Sequence, residues 1–169
     1  MVGLAASHGG ELWVASCFHV FDPQAVALII MTDRKTRHGQ LMLASSQVAG
    51  TVAGQPQSIR DIRGVQFAGR AVLLEPGDGA QGDGTQRDGT QGDGTQGDGM
   101  QGDGMQGNGA WQGKPGPWQV SHAAALARYV AAHPVARAFR TDLWCIWLDE
   151  IKHTENRVAF AQKTLWRRG

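Results

Sequence analysis

A glycine-rich repeat in the middle of the chain limits which residues can build a core. Residues 77–111 consist of pentapeptides that run from G-D-G-A-Q through G-D-G-T-Q and G-D-G-M-Q to a decayed G-N-G-A-W, and the glycine-rich stretch continues to residue 116. This stretch holds no leucine, isoleucine or valine, so it cannot bury enough apolar surface to offset the entropy lost on ordering. We predict a disordered, low-complexity insertion in a surface loop, and one folded domain built from residues 1–76 and 117–169.

The aspartates of the repeat raise the alternative of calcium binding. Calcium-binding β-rolls use a nine-residue period with a regular apolar position, whereas the period here is five residues. An EF-hand needs spaced ligands and a terminal glutamate, which the repeat lacks. The scattered histidines show no H-E-x-x-H spacing, so we expect no metal site.

The segments before the repeat have the composition of strands. Glu11–Phe21 is rich in aromatic and β-branched residues, and Ala25–Met31 is a continuous apolar run of strand length. A D-P-Q turn lies between them, which predicts a hairpin whose second strand is buried on both faces. Further strands are predicted at Val48–Val52 and Gly64–Leu74, and a glycine inside the second, Gly69, predicts a bend or bulge.

Helix and strand signals alternate after the repeat. Ser121 is a suitable N-cap for an alanine-rich helix that would pack through Leu126 and Val130. A second short helix is predicted over Pro134–Phe139, with Val135, Ala136 and Phe139 facing inward.

Strands complete the C-terminal part of the prediction. One begins at Asp142, runs through Leu148 and continues to a turn at Glu155, and the last begins at Arg157. Strands that dominate both ends of a chain, with helices between them, indicate a mainly β (α+β) domain, an antiparallel barrel with short helices.

The apolar run Ala25–Met31 leads directly into a polar segment with the sequence T-D-R-K-T-R-H. Its arginines, lysine, histidine and two threonines suit a phosphate, because they supply charged and neutral hydrogen-bond donors. If Thr36 caps a short helix through Gln40 to Ala44, the first backbone N–H groups of that helix would point at the same anion. The alternative is a solvated basic turn with no ligand.

Charge and cysteine content narrow the class of protein. Outside the repeat, the chain has fourteen lysines and arginines and nine acidic residues. This mildly basic composition fits an anionic ligand better than nucleic acid. Cys17 and Cys145 lie in apolar runs and are interpreted as buried thiols, with a disulfide or a cysteine nucleophile as the alternatives. No apolar run has the ~20 residues of a membrane helix, and the N-terminus does not read as a signal peptide. We therefore expect a cytoplasmic protein with no membrane partner.

Several short motifs, in this order, resemble a known family. They are G-E-L-W at residues 10–13, T-x-x-x-T-R-H at residues 32–38, G-V-Q-F at residues 64–67, P-V-A-R at residues 134–137 and W-x-I-x-L-x-E-x-K… in the closing hairpin. Together they resemble the FMN-binding split barrels related to pyridoxamine 5′-phosphate oxidase, and among these the YhbP-like branch. The resemblance covers about residues 10–74 and 125–168, nearly everything outside the repeat.

The resemblance implies a split barrel of about six antiparallel strands that forms a homodimer and holds FMN between its subunits. It implies that Met31 and Thr32 line the flavin and that Lys35, Thr36, Arg37 and His38 surround its phosphate. It assigns Gln66 to the flavin as well, displaced by two residues from its counterpart in the oxidases. Lys163 and Trp166 are candidates to reach the flavin of the partner subunit.

Two departures from the oxidases shape the expected function. His38 stands where the oxidases carry lysine, and a neutral imidazole brings a hydrogen bond but no charge. No counterpart of the oxidases' C-terminal substrate-binding Arg-His pattern is present, so oxidation of pyridoxamine phosphate is not expected. The two hypotheses are a small FMN-dependent oxidoreductase of unknown substrate and a degenerate, non-enzymatic split-barrel dimer that has lost flavin.

Overall fold

The structure, a computed structural model, describes residues 1–77, 120–157 and 162–169, and most of them lie in one antiparallel sheet. The strands are β1 (Val2–His8), β2 (Glu11–Cys17), β3 (His19–Asp22), β4 (Ala27–Met31), β5 (Gln47–Ala53), β6 (Arg63–Leu74), β7 (Leu143–Glu155) and β8 (Gln162–Arg167). The helices are α1 (Arg37–Ala44) and α2 (His122–Ala132), with short 3-10 turns at Ile59–Asp61 and Pro134–Ala138. The sheet order is β2-β1-β5-β6-β7-β4-β3, and β8 pairs with β7.

The sheet curls into a split barrel, which confirms the predicted mainly β class. The described residues contain eight strands, where about six were expected. One extra strand is β1, whose V-G-L-A-A-S sequence has too many small residues to signal a strand. The other arises because the predicted strand Glu11–Phe21 is interrupted at the exposed Phe18, which separates β2 from β3.

Two apolar clusters on opposite faces of the sheet hold the fold together. The first fills the inside of the curl, with Leu4, Ile30, Phe67 and Trp144 among its buried members. The second lies between β4, β7 and α2. Alternate residues of β4 enter the two clusters, which confirms that this strand is buried on both faces.

Both cysteines are buried free thiols, as predicted. Burial raises the pKa of Cys145 to about 12, and burial also raises the pKa of Cys17. Both side chains are therefore protonated at neutral pH, which does not suit a nucleophile.

The helix after the repeat begins where it was predicted, and of its two predicted packing residues Val130 is partly buried against the second cluster. Ser121 caps α2 by accepting a hydrogen bond from the backbone N–H of Ala124, at 3.2 Å. The buried positions are Ala125 and Tyr129, whereas Leu126 is exposed. The prediction that Val135 and Phe139 face inward is wrong: they are 68% and 60% exposed. The buried residue of that turn is Ala136, which was also predicted to face inward and which packs in the second apolar cluster.

The predicted irregularity at Gly69 is present. The pairing of β6 with β7 shifts register between Ala68 and Gly69. A Cβ at Gly69 would lie 2.0 Å from the carbonyl oxygen of Trp147, so only glycine permits this approach of the two backbones.

The repeat lies outside the described residues, since only Gly77 of the predicted insertion is included. Residues 117–119, which were assigned to the folded domain, and residues 158–161 of the predicted last strand also lie outside. In the part of the chain that is described, no helix is long and apolar enough to cross a membrane.

Arg168 ties the last strand to the turn that precedes β4. Its guanidinium donates to the backbone oxygens of Ala25 at 3.0 Å, Val26 at 2.8 Å and Leu148 at 3.0 Å. Val26 has a positive φ of 48°, which a β-branched residue rarely adopts, so its turn needs support from its surroundings. Arg168 provides that support by satisfying the carbonyls of the turn.

We predict that Arg168→Ala lowers the free energy of unfolding by about 1.5–3 kcal/mol, because three carbonyls lose a charged donor. The matched control is Arg167→Ala. Arg167 is 69% exposed and pairs with Glu150 on the surface, so its removal should cost at most about 0.5–1 kcal/mol. Urea denaturation of both variants measures the difference. Equal effects would show that Arg168 is a surface residue like its neighbour.

Candidate functional site

The site begins where β4 ends, and β7 fixes its first residue. The backbone N–H of Thr32 donates to the carbonyl oxygen of Asp142 at 3.0 Å. The buried Trp144 donates its indole N–H to the carbonyl oxygen of Thr32, also at 3.0 Å. Because the N–H and the carbonyl oxygen of Thr32 are both hydrogen-bonded, its backbone has a defined position at the start of the following turn.

Thr36 caps α1, as predicted. Its hydroxyl accepts from the backbone N–H of Gly39 at 3.1 Å and donates to the carbonyl oxygen of Asp33 at 2.7 Å. Gly39 is buried against the turn, and a Cβ there would lie 2.6 Å from the oxygen of Asp33. The first turn of α1 is therefore packed tightly onto the segment that follows β4, and its positive end lies at the same place as the two threonines.

Three polar side chains converge at this end of α1. The Nε2 atom of His38 lies 2.6 Å from Oγ1 of Thr32 and 3.3 Å from Oγ1 of Thr36. Burial lowers the pKa of His38, so its imidazole is neutral at neutral pH. This Thr32–Thr36–His38 cluster carries no charge of its own and can offer a neutral hydrogen-bond donor to a ligand.

Arg34 is a cation of the turn, but its charge is already paired. Its backbone N–H donates to Oδ2 of Asp142 at 2.7 Å, and its Nε and Nη2 atoms donate to Oδ1 at 3.0 and 2.8 Å. Nη1 reaches Glu75 at 2.9 Å. The Arg34 guanidinium, through hydrogen bonds, holds the pKa of Asp142 below its usual range. Arg34 thus joins the turn to the start of β7 and is not available to compensate for the missing lysine at position 38.

We predict that Asp142→Asn lowers the free energy of unfolding at pH 7 by about 1 kcal/mol, since the pair is partly exposed and screened. A lowered folded pKa means that the stabilisation is present above the unfolded carboxyl pKa of about 3.9 and is lost as pH falls through the folded value. The deficit of the variant should therefore shrink below about pH 4. Denaturation at pH 7 and pH 3 checks this, with Glu150→Gln as the control. A deficit that is unchanged at pH 3 would contradict it.

The two other cations of the turn, Arg37 and Lys35, have different surroundings. Arg37 donates from Nε to Oε1 of Glu11, and its Cζ lies 4.3 Å from the ring centroid of Trp13. Lys35 is exposed beside Arg140 and Thr141, around a surface depression that the turn forms with the segment before β7. Arg37 is therefore held by two side chains of β2, whereas Lys35 is exposed at the surface.

Of the remaining predicted site residues, the structure brings Met31 to the turn but leaves Gln66 far from it. Met31 pairs with Leu143 at the end of β4, whereas Gln66 pairs with Lys152. These two positions are nine residues apart on β7, which is roughly 30 Å along a strand. Within one chain, Gln66 cannot belong to the same site as Thr32.

The structure adds residues that the sequence did not identify. Asp142 and Trp144 hold the turn in place, and Glu11 and Trp13 hold Arg37. The G-E-L-W motif was visible in the sequence, but nothing in the spacing connected it with T-R-H. The connection exists because α1 packs against β1 and β2.

Known structures identify the class to which this fold belongs. A heme binding protein from Mycobacterium smegmatis superposes with a TM-score of 0.62 at 12% identity, over 98% of this chain and 52% of that one. An FAD-binding protein from Mesorhizobium loti gives a TM-score of 0.55 at 12% identity, over 90% of this chain and 83% of that one. These likenesses establish the split-barrel fold.

Sequence comparison gives the particular family. No family model matches the chain. The chain is 38% identical over 161 residues to the UPF0306 protein YhbP of Salmonella paratyphi A, which covers 95% of this chain and 80% of that protein. The chain therefore belongs to the YhbP family of split-barrel proteins.

Proposed function

We propose that the protein binds FMN at the turn between β4 and α1 and serves as a flavin-dependent oxidoreductase. The observation that carries this proposal is the convergence of Thr32, Thr36 and His38 within 3.3 Å at the N-terminus of α1, the helix whose first residue is Arg37. Hydroxyls, an imidazole, a helix N-terminus and a guanidinium together are a donor set for a phosphate monoester.

The split-barrel neighbours support a flat, conjugated cofactor. One of them is a heme binding protein and the other is an FAD-binding protein. The donor set here favours a phosphate-bearing flavin over heme, whose acidic groups are carboxylates. When bound, FMN would supply the electron-transfer chemistry, and the protein would supply binding and orientation.

The protonation of His38 decides what the cluster offers to the phosphate. The Thr36 hydroxyl donates to Asp33, so its proton is already in use. If His38 carries its hydrogen on Nε2 and donates to Thr32, the proton of the Thr32 hydroxyl is free for a phosphate oxygen. Arg37 then supplies the positive charge that the imidazole lacks.

We predict that Arg37→Ala weakens FMN binding about 10- to 100-fold, because a hydrogen-bonded charge contributes roughly 1.5–3 kcal/mol. Riboflavin, which lacks the phosphate, should bind the variant and the parent protein equally. Titration followed by flavin fluorescence gives both affinities. The phosphate assignment is wrong if the loss is the same for riboflavin and FMN, or if the parent protein binds neither flavin.

The proposed active form is a homodimer that meets through the outer face of β2. Leu12 and Val14 are 65% and 61% exposed there. The register places Val14 opposite Ala5 of β1, and Ala5 opposite Ala49 of β5. A flat row of alanines beside two large apolar side chains suits a second copy of the same surface.

In such a dimer, Gln66 would serve the flavin of the partner subunit. Lys163 lies on the same sheet face, since Gln66 pairs with Lys152 and Lys152 with Leu165, two residues from Lys163. Trp166 lies on the opposite face, because it pairs with Ile151. Gln66 and Lys163 are thus the better candidates for this contact.

We predict that Leu12→Lys converts the dimer to a monomer, because a charge would be buried in the apolar interface. Val135→Lys is the matched control, since Val135 is 68% exposed but lies beside α2. Sedimentation velocity distinguishes the two states. A parent protein that sediments as a monomer would contradict the proposed dimer.

The second candidate is a non-enzymatic dimer that has lost flavin. It is favoured by the pairing of Arg34 with Asp142 and of Arg37 with Glu11, which leaves little uncompensated charge at the site. A protein that is dimeric and colourless and does not bind added FMN would establish this candidate in place of the first.

A further inference from the structure

We propose that Glu11 and Trp13 are positioning residues that hold Arg37 so that its two terminal nitrogens face a phosphate ester. This inference rests on the proposed function and adds to it a role for the G-E-L-W motif. That motif lies on β2, 26 positions before Arg37, and the fold brings the two together at the N-terminus of α1.

The contacts of Arg37 use one edge and one face of its guanidinium. Glu11 accepts from Nε, on the inner edge. The ring of Trp13 covers one face of the guanidinium, with its centroid 4.3 Å from Cζ of Arg37. Among residues 1–77, 120–157 and 162–169, no protein acceptor is bound by Nη1 or Nη2, and the side chain is 53% exposed. The outer edge, which carries two parallel N–H donors, is the edge that binds phosphate in a bidentate manner.

A free arginine on a helix surface would not be ordered in this way. Arginine loses considerable side-chain entropy when it is immobilised, and a ligand that fixes it bears that loss. With Glu11 and Trp13 in place, the loss occurs during folding, and the guanidinium is oriented before the ligand arrives. Arg34 shows the contrasting arrangement, because Asp142 binds both its Nε and its Nη2 atoms and Glu75 binds its Nη1 atom.

The Glu11 charge itself works against an anionic ligand. The direction in which phosphate affinity changes when Glu11 is removed therefore distinguishes the two roles. If Glu11 acts only as a nearby negative charge, its removal should strengthen phosphate binding. If Glu11 holds Arg37, removal of its oxygen should weaken binding, and glutamine, which keeps an acceptor for Nε without the charge, should restore it.

The experiment compares Glu11→Ala, Glu11→Gln and the parent protein, each titrated with FMN and with riboflavin. We expect Glu11→Ala to lower the ratio of FMN to riboflavin affinity about three- to tenfold, as expected when one long side chain must be ordered on binding. We expect Glu11→Gln to keep the parental ratio or exceed it. Glu150→Ala, which removes the exposed carboxylate paired with Arg167 at 2.8 Å, is the control and should leave the ratio unchanged.

Three results would overturn the inference: a ratio that rises in Glu11→Ala, a ratio that does not change, or a loss that glutamine fails to restore. Failure of the proposed function looks different, because the parent protein would then bind neither flavin. In that case, the Arg37 Nε–H signal in a nitrogen-15 spectrum is followed during titration with inorganic phosphate. A phosphate-dependent shift of this signal that occurs in the parent protein but not in Glu11→Ala would support the positioning role even though no flavin binds. The absence of a shift in the parent protein would contradict the positioning role.

Discussion

The site depends on the pairing of β4 with β7. This pairing sets the position of Thr32 through two hydrogen bonds of its backbone. Its N–H donates to the carbonyl oxygen of Asp142, and its carbonyl oxygen accepts from the Trp144 indole. Asp142 then fixes the next turn by accepting from the backbone and side chain of Arg34. A polar turn that is anchored at its first and third residues can hold the capping residue Thr36 in a constant place. The convergence of hydroxyls and imidazole follows from that constraint.

The cations of the turn have separate tasks, which the sequence alone could not reveal. Arg34 is structural, Arg37 is oriented by Glu11 and Trp13, and Lys35 is exposed at the surface. A count of charges in the segment would treat them as equal. Their difference lies in the carboxylates that face them, and those come from other parts of the chain. The neutral imidazole at position 38 makes this division more important, because the turn has one oriented cation rather than two.

Local signals in the sequence were reliable where a single segment contained the cause. Thr36 and Ser121 as N-caps, the buried run of β4 and the irregularity at Gly69 were all predicted from neighbouring residues. Features that depend on distant partners were missed or misread. The packing face of α2 was assigned to Leu126 and Val130; Val130 is partly buried, but Leu126 is exposed and the buried positions are Ala125 and Tyr129. Asp142 and Glu11 carried no local mark of their roles, since their partners lie 108 and 26 positions away.

The position of β4 between β3 and β7 has a consequence for how the chain folds. One neighbour follows directly from the hairpin, but the other begins at Leu143, after the whole repeat. During synthesis, the apolar run Ala27–Met31 therefore has an open edge until more than a hundred further residues have emerged. Such non-local pairing forms slowly, and the intermediate that precedes it exposes an unpaired apolar strand and is prone to aggregate. The repeat is part of the segment that must be synthesised before this edge of β4 can be paired, so it lengthens the time for which the edge stays open.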